Sequence, residues 1–286
     1  VKPFHVYEAT HYRIFSIPKK NGKSRVIEAP VPELKAVQRE HLVFLKHDME
    51  VSPFAHAFQP YKNIATMAMP HVGKQWVMAI DIEDFFPSVT QEKFANHVAG
   101  HFIAKKEPPF NCHFADFEDG KGRRLPQGAP ASPLLSNAYL FSFDWRLAWK
   151  CYSFNVDYTR YADDIVISGN IKESLLVLYK IVRHLLEQVY GLMVNKPKVR
   201  LMHRKGRQVV CGIVVNEKLN LRRKWRKNLR AEIFQQKGGG LRQDTKGRMA
   251  FREMVLANKK TSYSSREICK SVETFLKLQK QSEREA

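Results

Sequence analysis

One stretch of the chain, Tyr161-Ala162-Asp163-Asp164, fits few local structures. Val156-Asp157-Tyr158-Thr159-Arg160 precedes it and Ile165-Val166-Ile167-Ser168 follows it. Two β-prone runs around a tight acidic turn predict a hairpin with two carboxylates at its tip. Adjacent acids at an apolar hairpin tip repel each other and gain nothing from packing. A bound divalent cation removes that cost. An ordinary solvated turn is the alternative, because Asp is a common turn residue.

A second acidic stretch lies far upstream. Trp76-Val77-Met78-Ala79-Ile80 is an apolar strand that ends at Asp81, and the chain turns again at Phe86-Pro87. If the two strands are neighbours in one sheet, Asp81 and Asp163 converge at one edge. Two ions about 4 Å apart need carboxylates from separate elements. Such a pair activates a 3′-hydroxyl, neutralises a triphosphate and stabilises both oxygens of an in-line displacement. Nucleotidyl transfer is the chemistry suggested. Glu83 and Asp84 lie beyond the strand and are expected to face solvent or cap the following turn.

Charge points to the same class of partner. The 286 residues carry 48 basic and 28 acidic side chains, a formal net charge of +20, which favours a polyanion. A solvated basic face or a ribosome-like binder has the same signature. Cys112, Cys151, Cys211 and Cys269 are scattered without metal-ligand spacing, as in a reduced, cytoplasmic protein. No signal peptide or apolar run of about twenty residues is visible, so neither secretion nor a membrane partner is expected.

The remaining elements follow from periodicity and turn chemistry. Residues 12–31 read as two strands around Asn21-Gly22, with Lys23 and Arg25 on one face just past the turn. Residues 33–48 predict a helix, on which Gln38 and Arg39 are candidates to face nucleic acid or solvent. Residues 90–104 predict a short helix, and Ser132-Pro133 an N-cap opening a long buried helix to about Lys150. Residues 172–189 predict an amphipathic helix ending near Gly191. The pattern is a sheet with helices on one face. From Leu221 onward the chain holds 18 Lys or Arg against seven Asp or Glu. Arg222, Arg223, Lys224, Arg226, Lys227 and Arg230 crowd the first helix there, suited to a duplex backbone.

Taken in order, these stretches resemble the prokaryotic reverse transcriptases, most closely those of retrons and related bacterial defence systems. Asp81 with Phe86 looks like the first catalytic motif, and Leu125-Pro126-Gln127-Gly128-Ala129-Pro130-Ala131-Ser132-Pro133 like the template and nucleotide pocket motif. Tyr161-Ala162-Asp163-Asp164 looks like the second catalytic motif, and Gly191-Leu192-Met193-Val194-Asn195 with Lys198 like the next. Val210-Cys211-Gly212 stands where retron enzymes usually show Val-Thr-Gly in a primer-gripping hairpin. Met67-Ala68-Met69-Pro70-His71 keeps the Ala and His of a retron motif but has Met67 in place of its Asn.

The resemblance implies an α+β right-hand polymerase fold with fingers, an antiparallel-sheet palm and a small helical thumb. Residues 1–72 would contribute fingers, 73–208 the palm with a finger insertion at about 88–125, and 209–286 the primer-grip hairpin and thumb. It implies an RNA-directed DNA polymerase holding two Mg²⁺ ions through Asp81, Asp163, Asp164 and the Ile82 backbone, with Mn²⁺ able to substitute in vitro. Lys198 would neutralise or protonate pyrophosphate. Lys23 and Arg25 would hold the triphosphate, and Phe86 would stand beneath the sugar as a steric gate. Ile82, Gln127, Gly128 and Ala129 would complete the nucleotide pocket. The implied partners are dNTPs, template RNA, an RNA/DNA duplex, a cognate noncoding RNA and an effector protein of antiphage defence. A noncatalytic RNA-binding protein on the same scaffold, RNA-templated RNA synthesis and untemplated nucleotide addition remain open alternatives.

Overall fold

The computed structural model describes residues 9–18, 22, 24–98, 110–117, 120, 122–236, 239–257 and 264–274. Lys23, Asn21, Gly238 and the far end of the helix expected over 90–104 lie outside the described residues. The strands are β1 (Tyr12–Pro18), β2 (Ser24–Pro30), β3 (Trp76–Asp81), β4 (Asp157–Tyr161), β5 (Asp164–Gly169), β6 (Arg200–His203), β7 (Val209–Val210), β8 (Ile213–Val214) and β9 (Asn220–Leu221). The helices are α1 (Pro32–Asp48), α2 (Ile64–Ala68), α3 (Phe85–Ser88), α4 (Gln91–Val98), α5 (Ser132–Tyr139), α6 (Phe141–Ser153), α7 (Lys172–His184), α8 (Arg223–Gln235) and α9 (Gln243–Ala257). Two compact units interleave along the sequence: Val1–Pro53, Ile82–Trp145 and Val182–Asn195 form one, and Phe54–Asp81, Arg146–Ile181 and Lys196–Ala286 the other.

In the first unit β1 and β2 form an antiparallel hairpin, and Pro32 opens α1 directly after it. Gln38 faces inward rather than toward a ligand. It is fully buried and donates to the Tyr12 hydroxyl at 3.1 Å and the Cys112 carbonyl at 2.8 Å. Glu28 on β2 pairs with Arg124 through two hydrogen bonds of 2.9 and 2.7 Å, and the Gln127 amide donates to the same carboxylate. Gly128 follows at φ +139°, where an added Cβ would meet the Glu28 carbonyl oxygen at 3.1 Å. The glycine is therefore required by the approach of the pocket motif to β2.

Two helix expectations need correction. The helix expected from Ser132 to about Lys150 is two helices, α5 and α6, separated at Leu140. Ala131, not Ser132, holds the N-cap position, and the Ser132 hydroxyl donates back to the Pro126 carbonyl at 2.8 Å. The helix expected over 172–189 ends as α7 at His184 and widens into a π turn over Leu185–Val189. The widening registers as a hydrogen bond from the Tyr190 amide to the Leu185 carbonyl.

The second unit is built on a four-stranded antiparallel sheet in the order β4-β5-β3-β6. Val77 to Ile80 are all buried, so β3 is covered on both faces and reads as a continuous apolar run. Val77, Ala79 and Val166 pack with Met67, Ala68, Val210, Ile213, Leu221 and Val255, joining the sheet to α2, to the small β7-β8-β9 sheet and to α9. The free side of β4 is covered rather than exposed. Arg160 exchanges backbone bonds with Phe54 and His56, and the Tyr158 amide donates to Ser265 Oγ at 2.7 Å. Arg266, in a helical stretch over 265–274, also binds the buried Asp157, which Lys74 contacts at 2.6 Å from its own side.

The Glu28–Arg124 pair yields a stability prediction. Both side chains are about 95% buried, and removing one partner of such a pair leaves the other charge uncompensated. Arg124→Leu should lower unfolding free energy by about 3–5 kcal/mol. Urea unfolding checks this; a loss under about 1 kcal/mol would show that the pair does not hold β2 to the Arg124 segment.

Candidate active site

The sheet register builds the site. Side chains alternate along β3, so Val77, Ala79 and Asp81 share one face. Their partners on β5 are Ser168, Val166 and Asp164. The pairs Val77–Ser168 and Ala79–Val166 thus run up this face and end in two directly opposed acids, Asp81 and Asp164. A slip of one residue would turn Asp164 to the opposite face. Asp163 occupies the two-residue turn between β4 and β5, and its neighbour Ala162 is left-handed at φ +53°.

Buried polar groups hold this turn and the strands behind it. Arg160 is fully buried, and its guanidinium donates to the Ala162 carbonyl at 3.1 Å, opposing the strain of a left-handed alanine. His71 is buried between Ser168 Oγ at 2.6 Å and Thr159 Oγ1 at 2.7 Å, tying β5 to β4. Burial pushes its pKa down to about 4, so the ring is neutral and can donate at one nitrogen and accept at the other. This placement gives His71 the structural hydrogen-bonding role that its motif position left open. Met67, in the place of the motif's Asn, is apolar core.

Cys211 adds a contact that sequence reasoning missed. It is half-buried, and its Sγ lies 3.5 Å from Asp164 Oδ2 and 3.4 Å from Met67 Sδ. Cys211 and Gly212 are both left-handed, at φ +43° and +86°, which is the type I′ turn that joins β7 to β8. Burial, with Asp164 nearby, drives the thiol well above its usual pKa, so it stays protonated and acts as a donor. The 47-residue separation from Asp164 in sequence concealed this proximity.

The acids are mutually destabilising. Burial first, then Asp164 and Asp81, pushes Asp163 up to about 6. Burial and then Asp81 raise Asp164. Lys198 lies across the same site, with Nζ at 3.1 and 2.9 Å from the two Asp81 oxygens, and this bond raises its own pKa. A cavity of about 320 Å³ is lined by Asp81, Asp164, Lys198 and Arg200. Hard carboxylate oxygens under mutual repulsion fit a hard divalent cation, whose charge would remove that repulsion. The structure thus brings together Asp81, Asp163, Asp164 and Lys198.

The other candidates are distributed as follows. In the first unit, Arg25 is exposed on β2, Ile82 is buried and bridged to Val194, and Phe86 is half-buried beside a buried Phe85 at 5.6 Å between rings. Gln127 is half-buried, Gly128 exposed and Ala129 buried. Glu83 and Asp84 are exposed, but Asp84 makes no side-chain cap to α3. In the second unit Arg222, Arg223, Lys224, Lys227 and Arg230 are all exposed, while Trp225 and Leu229 turn inward, Trp225 meeting Phe251 edge-on at 5.7 Å.

Comparison with known proteins decides the family. Residues 17–268 match the family described as reverse transcriptase (RNA-dependent DNA polymerase). The chain is a reverse transcriptase family member. It is of the retron type: it is 31% identical over 229 residues to the retron Ec86 reverse transcriptase of Escherichia coli, covering 78% of this chain and 69% of that one. It is 38% identical over 244 residues to the retron Mx65 reverse transcriptase of Myxococcus xanthus, covering 79% of this chain. This reverse transcriptase chain spans only 56% of that relative's length. Telomerase from Candida albicans, solved with a telomeric RNA fragment, has a similar fold at TM-score 0.52 and 12% identity, covering 86% of this chain and 54% of that one. The fold is thus the right-hand polymerase fold.

A pH test follows for the site of this reverse transcriptase. A carboxylate whose folded pKa is raised is increasingly unfavourable as pH climbs from the unfolded value, about 3.9, through the folded one. With divalent ions chelated, Asp163→Asn should raise Tm at about pH 7.5, and the gain should shrink progressively below pH 6. Differential scanning fluorimetry checks this. A gain that does not vary with pH would contradict the assigned repulsion.

Proposed function

We propose that this chain is an RNA-directed DNA polymerase that copies an RNA template into cDNA. The observation that carries the proposal is the cross-strand pairing of Asp81 with Asp164, with Asp163 in the adjoining turn, in a member of the reverse transcriptase family. In this reading Asp81, Asp163 and Asp164, with the Ile82 backbone, hold two Mg²⁺ ions, and Mn²⁺ replaces them in vitro. When bound, the ions would lower the pKa of a primer 3′-hydroxyl and balance charge in an in-line displacement.

The chain's own residues do the rest. Lys198, kept protonated, neutralises the charge of the departing pyrophosphate or gives it a proton. Lys23 and Arg25 hold the triphosphate, the latter with a planar fork suited to phosphate oxygens. Gln127, Gly128 and Ala129 form part of the nucleotide pocket. Arg222, Arg223, Lys224, Lys227 and Arg230 grip the RNA/DNA duplex by its phosphates. Residues 1–72 serve as fingers, 73–208 as palm with the finger insertion at about 88–125, and 209–286 as primer grip and thumb.

The template is a dedicated noncoding RNA, and the system an antiphage defence acting with an effector protein in the cytoplasm. The likeness to retron reverse transcriptases supports this setting. Among the described residues no helix is long and apolar enough to cross a membrane.

Sugar choice tests the polymerase reading. Phe85 fills the core while Phe86 is only half-buried, which supports a gate against the ribose 2′-hydroxyl. The phenyl ring offers that hydroxyl no hydrogen bond to replace water. On one RNA template the wild type should prefer dNTP over rNTP in kcat/KM. Phe86→Ala should lower that preference by about 10-fold or more while keeping DNA synthesis; one lost steric contact is worth at least about 1.4 kcal/mol here. An unchanged ratio in a folded, active variant would remove the gate, and wild-type preference for rNTP would remove the assignment to DNA synthesis.

A further inference from the structure

A second set of metal-ligand side chains lies in the first unit. His41 projects from α1, and Cys112 and His113 close a 3₁₀ turn at Phe110–His113. One ligand atom from each of the three lies within 4.8 Å of the others. His41 Nδ1 is 3.1 Å from Cys112 Sγ, and the two imidazoles meet edge to face at 5.7 Å. Gln38, one turn before His41, donates to the Cys112 carbonyl at 2.8 Å and fixes the turn against the helix.

His113 makes this more than a chance grouping. Its side chain is fully buried, and neither ring nitrogen has a hydrogen-bond partner among the described residues. A neutral imidazole carries one donor and one acceptor, and burying both unpaired is unfavourable. A metal bond to one nitrogen would satisfy its lone pair.

We propose that His41, Cys112 and His113 bind one zinc ion, which clips α1 to the 3₁₀ turn. Two imidazole nitrogens and one sulfur form a borderline-to-soft set that suits Zn²⁺ and disfavours Mg²⁺. The ion displaces the Cys112 thiol proton to solvent and bonds to the resulting thiolate. Tetrahedral Zn–N and Zn–S bonds place ligand atoms roughly 3.3–3.7 Å apart, so the His41–Cys112 pair, at 3.1 Å, opens slightly and the other separations, within 4.8 Å, close by no more than about 1–1.5 Å. His41 is half-buried, leaving that side open for a water as fourth ligand. The site is separate from the catalytic aspartates in chemistry and in residues. Sequence spacing hid it, because one ligand lies 71 residues from its nearest companion.

The test uses the full-length, untagged chain. Elemental analysis after gel filtration should find about one zinc per chain, and the count should survive in Asp81→Asn/Asp163→Asn. Cobalt added to metal-stripped protein should give visible bands of a tetrahedral site with thiolate-to-metal charge transfer in the near ultraviolet. Cys112→Ser should remove the charge-transfer band, and His41→Asn, at the half-buried ligand, should weaken zinc at least tenfold in chelator competition. Wild-type protein without the thiolate band overturns the proposal whether or not the variants fold. So does a zinc count that disappears with the aspartates, or one unchanged in folded Cys112→Ser and His41→Asn.

Discussion

The antiparallel register of β3 on β5 is the constraint on which the rest depends. It fixes Val77 opposite Ser168, Ala79 opposite Val166 and Asp81 opposite Asp164. The first two pairs lie against apolar core and set the register, because a slip would bury the wrong face. The third pair inherits that register at the exposed end of the sheet. Core packing thereby determines the separation of two groups that repel each other. Nothing in their own interaction would hold them there.

The surrounding polar groups are explained by that repulsion. Arg160 fixes the turn that carries Asp163, and His71 joins the two strands behind it. Lys198 and Cys211 donate to Asp81 and Asp164 respectively. Lys198 and Cys211 come from positions distant in sequence, yet both reach carboxylate oxygens of this site. Asp163 and Asp164 remain raised in pKa despite them, which marks a site built for a cation rather than for stability. Closely spaced charge in a sheet end is tolerable because the apolar packing around Val77, Ala79 and Val166 and the covered β4 edge provide compensating stabilisation.

Much of this was legible in the sequence where the signal was local. Alternation and turn chemistry marked the strands around Asp81 and Asp163, and the basic run after Leu221 marked α8. Long-range contacts were not legible. Gln38 follows helical spacing like a surface residue, but its amide is claimed by Tyr12 and Cys112. The close approach of Gly128 to the backbone of β2 was equally hidden, because the two lie about 100 residues apart in sequence. The break at Leu140 lies in an apolar run that reads as one helix by periodicity. Cys211 stands where a Thr is usual, and only the fold shows that its sulfur faces Asp164.

The central claim is that these carboxylates hold the ions of nucleotidyl transfer. Single-nucleotide extension of a primer on an RNA template, with Mg²⁺ supplied, tests it most directly when wild type and Asp163→Asn are compared and RNA binding is measured alongside. The account predicts that extension falls by about 100-fold or more, the scale of losing a preorganised electrostatic group, while RNA binding persists. Near-normal extension by a folded Asp163→Asn would contradict it.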